Sequence, residues 1–198
     1  MKSDYRERAF HFLQEVYPYI DGCMYEPYLV TRRIRIFNHA KSRNVQVRNG
    51  CARIALITSD YVIKFDYDED EVRRIGGCED EVYFYGFVKK NHMEHLFAEI
   101  TPVSYMGHKF YIMPRISGIG RYEDMHVEYF LNFEDSDFVH SYLSDMHSGN
   151  YGWKNGYPVI VDYALNELRE TTNSTPSYSS SHTLSTSYHS SFYPQTSY

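Results

Sequence analysis

A short polar loop in the last third of the sequence constrains the fold more than any other segment. Residues 144–150 read SDMHSGN, and they are followed by an Asn-Gly pair at 155–156 and by an apolar run that ends at Asp162. An Asn-Gly pair between apolar segments favours a tight hairpin. The two short strands predicted around it are residues 151–153 and 158–161. The polar loop therefore leads into a hairpin whose second strand ends at a carboxylate.

The first half of the chain has the pattern of an antiparallel sheet. Segments rich in β-branched residues around Val47, Leu56 and Phe65 are separated by turn signals at 49–50 and 59–60. This pattern predicts three strands with tight connections. Two further strands, at 97–104 and 109–116, are predicted to form a hairpin across Met106-Gly107. A turn is predicted at 121–124, helices at 5–18, 78–91, 127–133 and 137–143, and either helix or strand at 28–37. The element order predicts an α+β fold with a sheet-rich first half and a helical second half.

The end of the chain differs in composition from the rest. Residues 171–198 contain ten Ser, six Thr and four Tyr, and none is Asp, Glu, Lys or Arg. A segment with so little aliphatic surface cannot offset the entropy of ordering, so we expect a disordered tail. The remaining residues, about 170, are enough for one domain with a real core.

Charge and cysteine content exclude several classes of protein. The net charge is −6 and no basic run is present, so nucleic acid is not an expected ligand. Cys23, Cys51 and Cys78 are scattered, without a CxxC pair or a disulfide pattern, which favours a reducing cytosol. No stretch approaches the roughly 20 apolar residues of a membrane span, so no membrane partner is expected.

The polar loop has the residue types that phosphoryl transfer requires. Asp145 is placed to accept the proton of an acceptor hydroxyl, while Asn150 and Asp162 are placed to hold a metal ion on a nucleotide. Between them, Gly149 permits a tight backbone. His147 is open to three interpretations: a brace for the loop by hydrogen bonds, which we favour, a general base, or a metal ligand.

An upstream lysine and an acidic helix complete the pattern. Lys64 lies between apolar residues of a predicted strand and could clamp phosphates if an acid orients it. The alternative is an ordinary solvent-facing lysine, since most lysines are exposed. Glu81, on the helix that follows, is the preferred partner. Glu79 competes with it, and most acids near residues 66–81 are expected to form a solvated face.

Together, the DMHSGN loop, the Asn-Gly hairpin and the Asp at the strand end resemble the eukaryotic-like protein kinase superfamily. Within it, they are most similar to the early Ser/Thr protein kinases of short-tailed lytic bacteriophages. The likeness covers about residues 50–164 and is tightest over 145–162. It implies a compact bilobal kinase-like fold, with an antiparallel N-lobe sheet at about 1–113 and a truncated helical C-lobe at about 117–170.

The resemblance also implies roles for individual residues. Asp145 would be the catalytic base, Lys64 the ATP anchor and Glu81 its helix partner. Asn150 and Asp162 would bind Mg²⁺, with Mn²⁺ as a substitute. The residues that would contact ATP besides Lys64 are Gly50 and Arg53 in the nucleotide-covering loop, and Met113, Arg115 and Ile116 at the hinge. The implied substrates are Ser and Thr hydroxyls, and also Tyr, of host proteins in the host cytoplasm.

Several features depart from the kinase pattern. The nucleotide-covering loop at 50–53 holds one glycine, and Leu143-Ser144 stands where many kinases have His-Arg. Only 36 residues follow Asp162, of which the tail takes 28. Two alternative functions therefore stay open: a small-molecule phosphotransferase, which His147 favours, and a kinase-like protein that inhibits a host protein by contact. If the chain is a kinase, we expect the tethered, hydroxyl-rich tail to be autophosphorylated.

Overall fold

The computed structural model describes residues 4–24, 38, 40, 44–50, 52–67, 72, 76–116, 131–144, 146 and 148–168. Five antiparallel strands form one sheet in the order β1-β2-β3-β5-β4, and two more form a separate hairpin. The strands are β1 (Gln46–Asn49), β2 (Arg53–Ile57), β3 (Tyr61–Asp66), β4 (Thr101–Tyr105), β5 (His108–Pro114), β6 (Tyr151–Lys154) and β7 (Tyr157–Ile160). The helices are α1 (Tyr5–Met24), α2 (Cys78–Lys90) and α3 (Phe133–Tyr142), with 3₁₀ turns at Glu94–Leu96 and Ser148–Asn150. The predicted α+β class, with an antiparallel sheet, is confirmed.

Local turn chemistry sets the hairpins. In the turn between β6 and β7, Asn155 and Gly156 both have positive φ, of 55° and 80°. A type I′ turn requires this at both central residues, and its twist matches that of the flanking strands. Met106 and Gly107 adopt positive φ in the same way between β4 and β5. Both hairpins therefore form where the sequence predicts them.

One face of the sheet is covered by α1. The alternation of β2 directs Ile54 and Leu56 toward this helix, whose Leu13 and Ile20 are almost fully buried. Burying each such side chain contributes roughly 1.5–3 kcal/mol. The outer face of the sheet is thus closed by the N-terminal helix, and the other face is left for α2 and the rest of the chain.

The helix α2 lies against the opposite face and is held at its N-terminus by two carboxylates. Asp80 accepts a hydrogen bond from the N–H of Gly77 at 2.8 Å, and Asp66, at the end of β3, accepts from the N–H of Cys78 at 3.2 Å. These contacts satisfy donors that a helix start leaves open. They also fix the start of α2 to the end of β3, which sets the position of the helix along the sheet.

The second half of the described chain packs on the same side of the sheet as α2. Asn132 caps α3 by accepting a hydrogen bond from the N–H of Asp135 at 2.8 Å. The buried Asp135 carboxylate in turn contacts His95 at 3.1 Å and the Tyr157 hydroxyl at 2.5 Å. A further bond, from the N–H of Ala98 to a β7 carbonyl at 2.8 Å, joins the β6–β7 hairpin to the segment before β4. The hairpin is therefore fixed relative to the sheet.

Three predicted boundaries are wrong. The first helix continues beyond Pro18 to Met24, because Ile20 still buries its side chain against the sheet. The strand predicted from 97 begins at Thr101, because Phe97 bridges to Ile160 instead of the sheet. The last helix begins at Phe133 rather than 137 because of the Asn132 cap. The predictions for residues 28–37, 121–124, 127–130 and 171–198 lie outside the described residues, and the division into lobes stays a prediction.

Candidate functional site

Lys64 is buried, although it is a charged residue in the middle of a strand. Only 9% of it is exposed. Its Nζ donates hydrogen bonds to Oε1 and Oε2 of Glu81 at 2.8 and 3.1 Å, and to the carbonyl oxygen of Val161 at 2.8 Å. The alternative that Lys64 faces solvent is therefore wrong.

The helix α2 supplies the carboxylate that partners Lys64. Glu81 is fully buried on the helix face that also carries Tyr85, one turn further along. Glu79, by contrast, is exposed and pairs with Lys109 at the surface. Of the two acids that the sequence leaves open, the structure brings Glu81 to the lysine.

The loop before β6 and the segment after β7 meet beside Lys64. The backbone carbonyl oxygen of Asn150 accepts hydrogen bonds from the N–H groups of Val161 at 2.7 Å and of Asp162 at 3.2 Å. Asn150 is buried, whereas 37% of the Asp162 side chain is exposed. The two predicted metal ligands are therefore neighbours, and Asp162 is the more accessible.

Arg53, the first residue of β2, connects the two acidic residues. Its Nη1 lies 3.3 Å from Oε1 of Glu81, and its Nη2 lies 3.0 Å from Oδ1 and 3.2 Å from Oδ2 of Asp162. Arg53, Lys64, Glu81 and Asp162 thus form one group of alternating charges, called here the charge cluster. Glu81 receives a further hydrogen bond from the N–H of Tyr163 at 3.3 Å.

Within the charge cluster, Lys64 and Asp162 are held in their ionised forms, whereas burial raises the pKa of the Glu81 carboxyl. Burial disfavours the Lys64 ammonium, but the carboxylates of Glu81 and Asp162 outweigh this and raise the pKa of Lys64 above its ordinary value. Burial likewise disfavours the Asp162 carboxylate, but Lys64 and Arg53 overcome it and lower the pKa of Asp162. Both residues are therefore charged at neutral pH, as a phosphate clamp and a metal ligand need to be.

The charge cluster lies at one end of a cleft of about 280 Å³. Arg53, Lys64 and Asp162 line this end. The opposite end carries three apolar residues, Ile57, Val62 and Met113, which are direct partners on adjacent strands and share the sheet face that lines the cleft. The polar Gln46, the direct partner of Ile57 on β1, lines the cleft beside them. A ligand with an apolar group near these residues and an anionic group near the charge cluster matches this lining.

Other predicted nucleotide-binding residues also line the cleft. They are Gly50, Arg115 and Ile116. The Gly50 N–H donates to the Arg53 carbonyl oxygen at 2.9 Å. Arg115 donates to the Thr58 carbonyl oxygen at 2.6 Å, which fixes the predicted hinge segment to the β2–β3 turn. Arg53 is the charged side chain that the loop at 50–53 brings to the cleft.

A metal ion fits this site only if phosphate oxygens complete its coordination. Among the described residues, no group of three or more His, Cys, Asp or Glu side chains could hold a metal. Asp162 lines the cleft and offers one carboxylate, whereas Asn150 is buried and is not one of the cleft-lining residues. A single accessible carboxylate suits Mg²⁺, which proteins typically bind through one or two carboxylates together with phosphate oxygens and water. The donor set therefore fits a metal bound together with a nucleotide.

Two predicted residues cannot be placed, and two were missed. Asp145 and His147 lie outside the described residues, so their roles stay predictions. Arg48 and Tyr151 line the cleft but were not singled out from the sequence. The period-two alternation of β1 could have placed Arg48 on one sheet face, because alternate residues of a strand share a face. That face lines the cleft, as does Ala55, the direct partner of Arg48 on β2.

Comparison with known proteins finds no matching family model, no matching curated protein and no matching solved structure. None of the helices in the described part of the chain has the length and apolar character needed to cross a bilayer. The chemistry of the site is therefore inferred from its own residues.

Proposed function

We propose that this chain is an ATP-dependent protein kinase that transfers the γ-phosphate to Ser and Thr, and also Tyr, hydroxyls of host proteins. The observation that carries the proposal is the buried Lys64–Glu81 pair, which lies beside Asp162 at one end of a cleft. A lysine held by a helix carboxylate, with a second carboxylate beside it, is the arrangement that kinases use to position the phosphates of ATP. The apolar end of the cleft would then take the adenine.

The residues divide the work of phosphoryl transfer. Lys64 binds the α- and β-phosphate oxygens, and Glu81 holds the ammonium in place. Asp145 accepts the proton of the acceptor hydroxyl. The oxygen of that hydroxyl bonds to the γ-phosphorus, and the bond between this phosphorus and ADP breaks. Asp162 and Asn150 would hold Mg²⁺, which would supply positive charge to neutralise the phosphate oxygens.

The architecture supports a kinase-like bilobal arrangement within this proposal. The five-stranded sheet and α2 would form the upper lobe, since they carry the lysine and its glutamate. The segment with α3 and the β6–β7 hairpin would form the lower lobe, since it carries Asn150 and leads to Asp162. The cleft lies where the two groups of elements meet, with Met113 and Arg115 at the connection.

A second candidate is a kinase-like protein that binds a host protein without transferring phosphate. One specific observation favours it. The Asp162 carboxylate, which a catalytic metal ion would need as a ligand, is instead bound by Arg53 at 3.0 Å. The complete set of Lys64, Glu81, Asn150 and Asp162 favours the kinase, because contact inhibition has no chemical need for all four.

The deciding experiment is the transfer of label from γ-labelled ATP with Mg²⁺ to proteins of a host cell extract. Asp145→Ala should reduce the transfer by about 100-fold or more, the usual contribution of a general base. Asp137→Ala removes an exposed carboxylate in α3 and serves as the matched control, with transfer close to that of the wild type.

The other outcomes separate the alternatives. Label that appears in small molecules and not in protein would identify a small-molecule phosphotransferase. Protein labelling that is equal in the wild type and Asp145→Ala, or absent from both, would overturn the kinase proposal and favour the contact inhibitor.

A further inference from the structure

Arg53 binds the carboxylate of Asp162, which a metal ion would need as a ligand. One nitrogen of its guanidinium contacts both oxygens of Asp162, at 3.0 and 3.2 Å, and the other contacts Glu81 at 3.3 Å. Two cations and two carboxylates make the charge cluster neutral as it stands. Adding a divalent cation alone would bring two positive charges next to Arg53 and Lys64.

The two ion pairs of the charge cluster differ in how firmly they are enclosed. The side chain of Glu81 is fully buried and that of Lys64 is 11% exposed, so separating them would leave two poorly hydrated charges without their closest counter-ion. The side chains of Arg53 and Asp162 are 18% and 37% exposed and line the cleft. The Arg53–Asp162 pair is therefore the one that a ligand in the cleft can open.

Phosphate is a suitable competitor for Arg53. A guanidinium presents its donors in a planar fork that matches phosphate oxygens as well as it matches a carboxylate. The Gly50 N–H is already bonded within its own turn, whereas the Arg53 side chain can offer its donors to a phosphate oxygen. A phosphate chain in the cleft would offer Arg53 a new partner and leave Asp162 available to the metal.

We infer that Arg53 exchanges partners when the nucleotide binds: it holds Asp162 in the free protein and moves to the phosphate chain in the complex, so that the metal enters only with the nucleotide. This inference rests on the proposed function, because it assigns Asp162 to the metal and the cleft to ATP. Arg53 is thereby both a phosphate-binding residue and a residue that sets the order in which metal and nucleotide bind.

The test measures Mn²⁺ and nucleotide binding separately, without measuring activity. Mn²⁺ binding in the absence of nucleotide is followed by electron paramagnetic resonance, and ATP binding in a chelator by calorimetry. Arg53→Gln should bind Mn²⁺ alone about tenfold more tightly than the wild type and bind metal-free ATP about tenfold more weakly, which is ~1.4 kcal/mol in each direction. Arg53→Lys keeps the positive charge, and its affinities for Mn²⁺ and ATP should lie between those of the wild type and Arg53→Gln.

A matched control removes a different cleft arginine. Arg48→Gln takes one positive charge from the same cleft, on β1, and should leave Mn²⁺ binding without nucleotide unchanged. Thermal melting of each variant shows whether it is folded. If Arg53 only stabilised the fold, Arg53→Gln would weaken both kinds of binding, and that result would overturn the inference.

The wild type provides a second measurement that needs no variant. It should bind Mn²⁺ much more tightly with a non-hydrolysable ATP analogue than without it. Equal Mn²⁺ affinity in the two conditions would contradict the exchange even if no Arg53 variant folds. If the wild type binds no nucleotide at all, the proposed function fails. Tighter Mn²⁺ binding by Arg53→Gln would still show that Arg53 competes with the metal ion for Asp162.

Discussion

At the scale of single residues, the site depends on charges that have been removed from water. Lys64 and Glu81 tolerate burial because each neutralises the other at 2.8 Å. A buried pair of this kind contributes little net stability compared with apolar residues of the same size, but breaking it is costly. Its presence is therefore better explained by function than by stability.

Removal of the Glu81 charge should destabilise the protein and, if the proposed function holds, inactivate it. Glu81→Gln leaves the Lys64 ammonium buried without its carboxylate, at a cost of about 3–5 kcal/mol in the free energy of unfolding. Glu79→Gln is the control on the same helix, because its surface pair with Lys109 contributes at most about 1 kcal/mol. Urea denaturation of the two variants measures the difference. Equal losses would show that Lys64 and Glu81 are not a buried pair in solution.

At the scale of elements, the contact between β3 and the start of α2 places the glutamate. Asp66 at the end of β3 accepts from the first N–H of α2, and the helix then advances through one turn before Glu81 reaches Lys64. Gly77 stands at the point of closest approach. A Cβ at this position would lie 2.8 Å from both the Asp66 carboxylate and the Val72 side chain.

Gly77→Ala should therefore push α2 away from β3. We expect a loss of about 1–3 kcal/mol in the free energy of unfolding, the usual cost of overpacking. If the proposed function holds, nucleotide binding should also weaken, because Glu81 moves with the helix. Gly86→Ala lies in the same helix, and within the described residues no heavy atom lies within 4 Å of its added Cβ. It should instead stabilise the helix by about 0.5–1 kcal/mol. Thermal or urea unfolding decides the matter, and a neutral Gly77→Ala would contradict the close contact.

At the scale of the whole molecule, the candidate site and the hydroxyl-rich segment at residues 171–198 belong to one chain. If this segment is disordered, as its composition predicts, it is tethered to the site at an effective concentration of order mM. If the proposed function holds, incubation with ATP and Mg²⁺ should phosphorylate Ser, Thr or Tyr within residues 171–198. Each phosphate adds about −1.5 to −2 charge to a segment that has no charged side chain.

Mass spectrometry after this incubation locates the phosphates, and the Tyr residues 178, 188, 193 and 198 are among the sites to be examined. Asp145→Ala is the control and should stay unmodified. If the enzyme is active but its tail remains unphosphorylated, this prediction is wrong. The proposed transfer of phosphate to other proteins would be unaffected by that result.

The sequence by itself determined the local features of the protein. The Asn155-Gly156 turn, the hairpin across 106–107 and the three strands from 46 to 66 all follow from short-range turn chemistry and period-two alternation, which do not depend on distant residues. Helix ends were less predictable, because the extension of α1 past Pro18 depends on what Ile20 packs against.

Only the tertiary structure decided which charges meet. Lys64 pairs with Glu81 rather than being exposed, and the choice between Glu79 and Glu81 depends on how α2 is placed on the sheet. The contact of Arg53 with Asp162 joins residues 109 positions apart, and no local pattern encodes that distance. Burial explains this division, because the energy of a charge is set by the dielectric and the partners that surround it after folding, and by neither its residue type nor its neighbours in sequence.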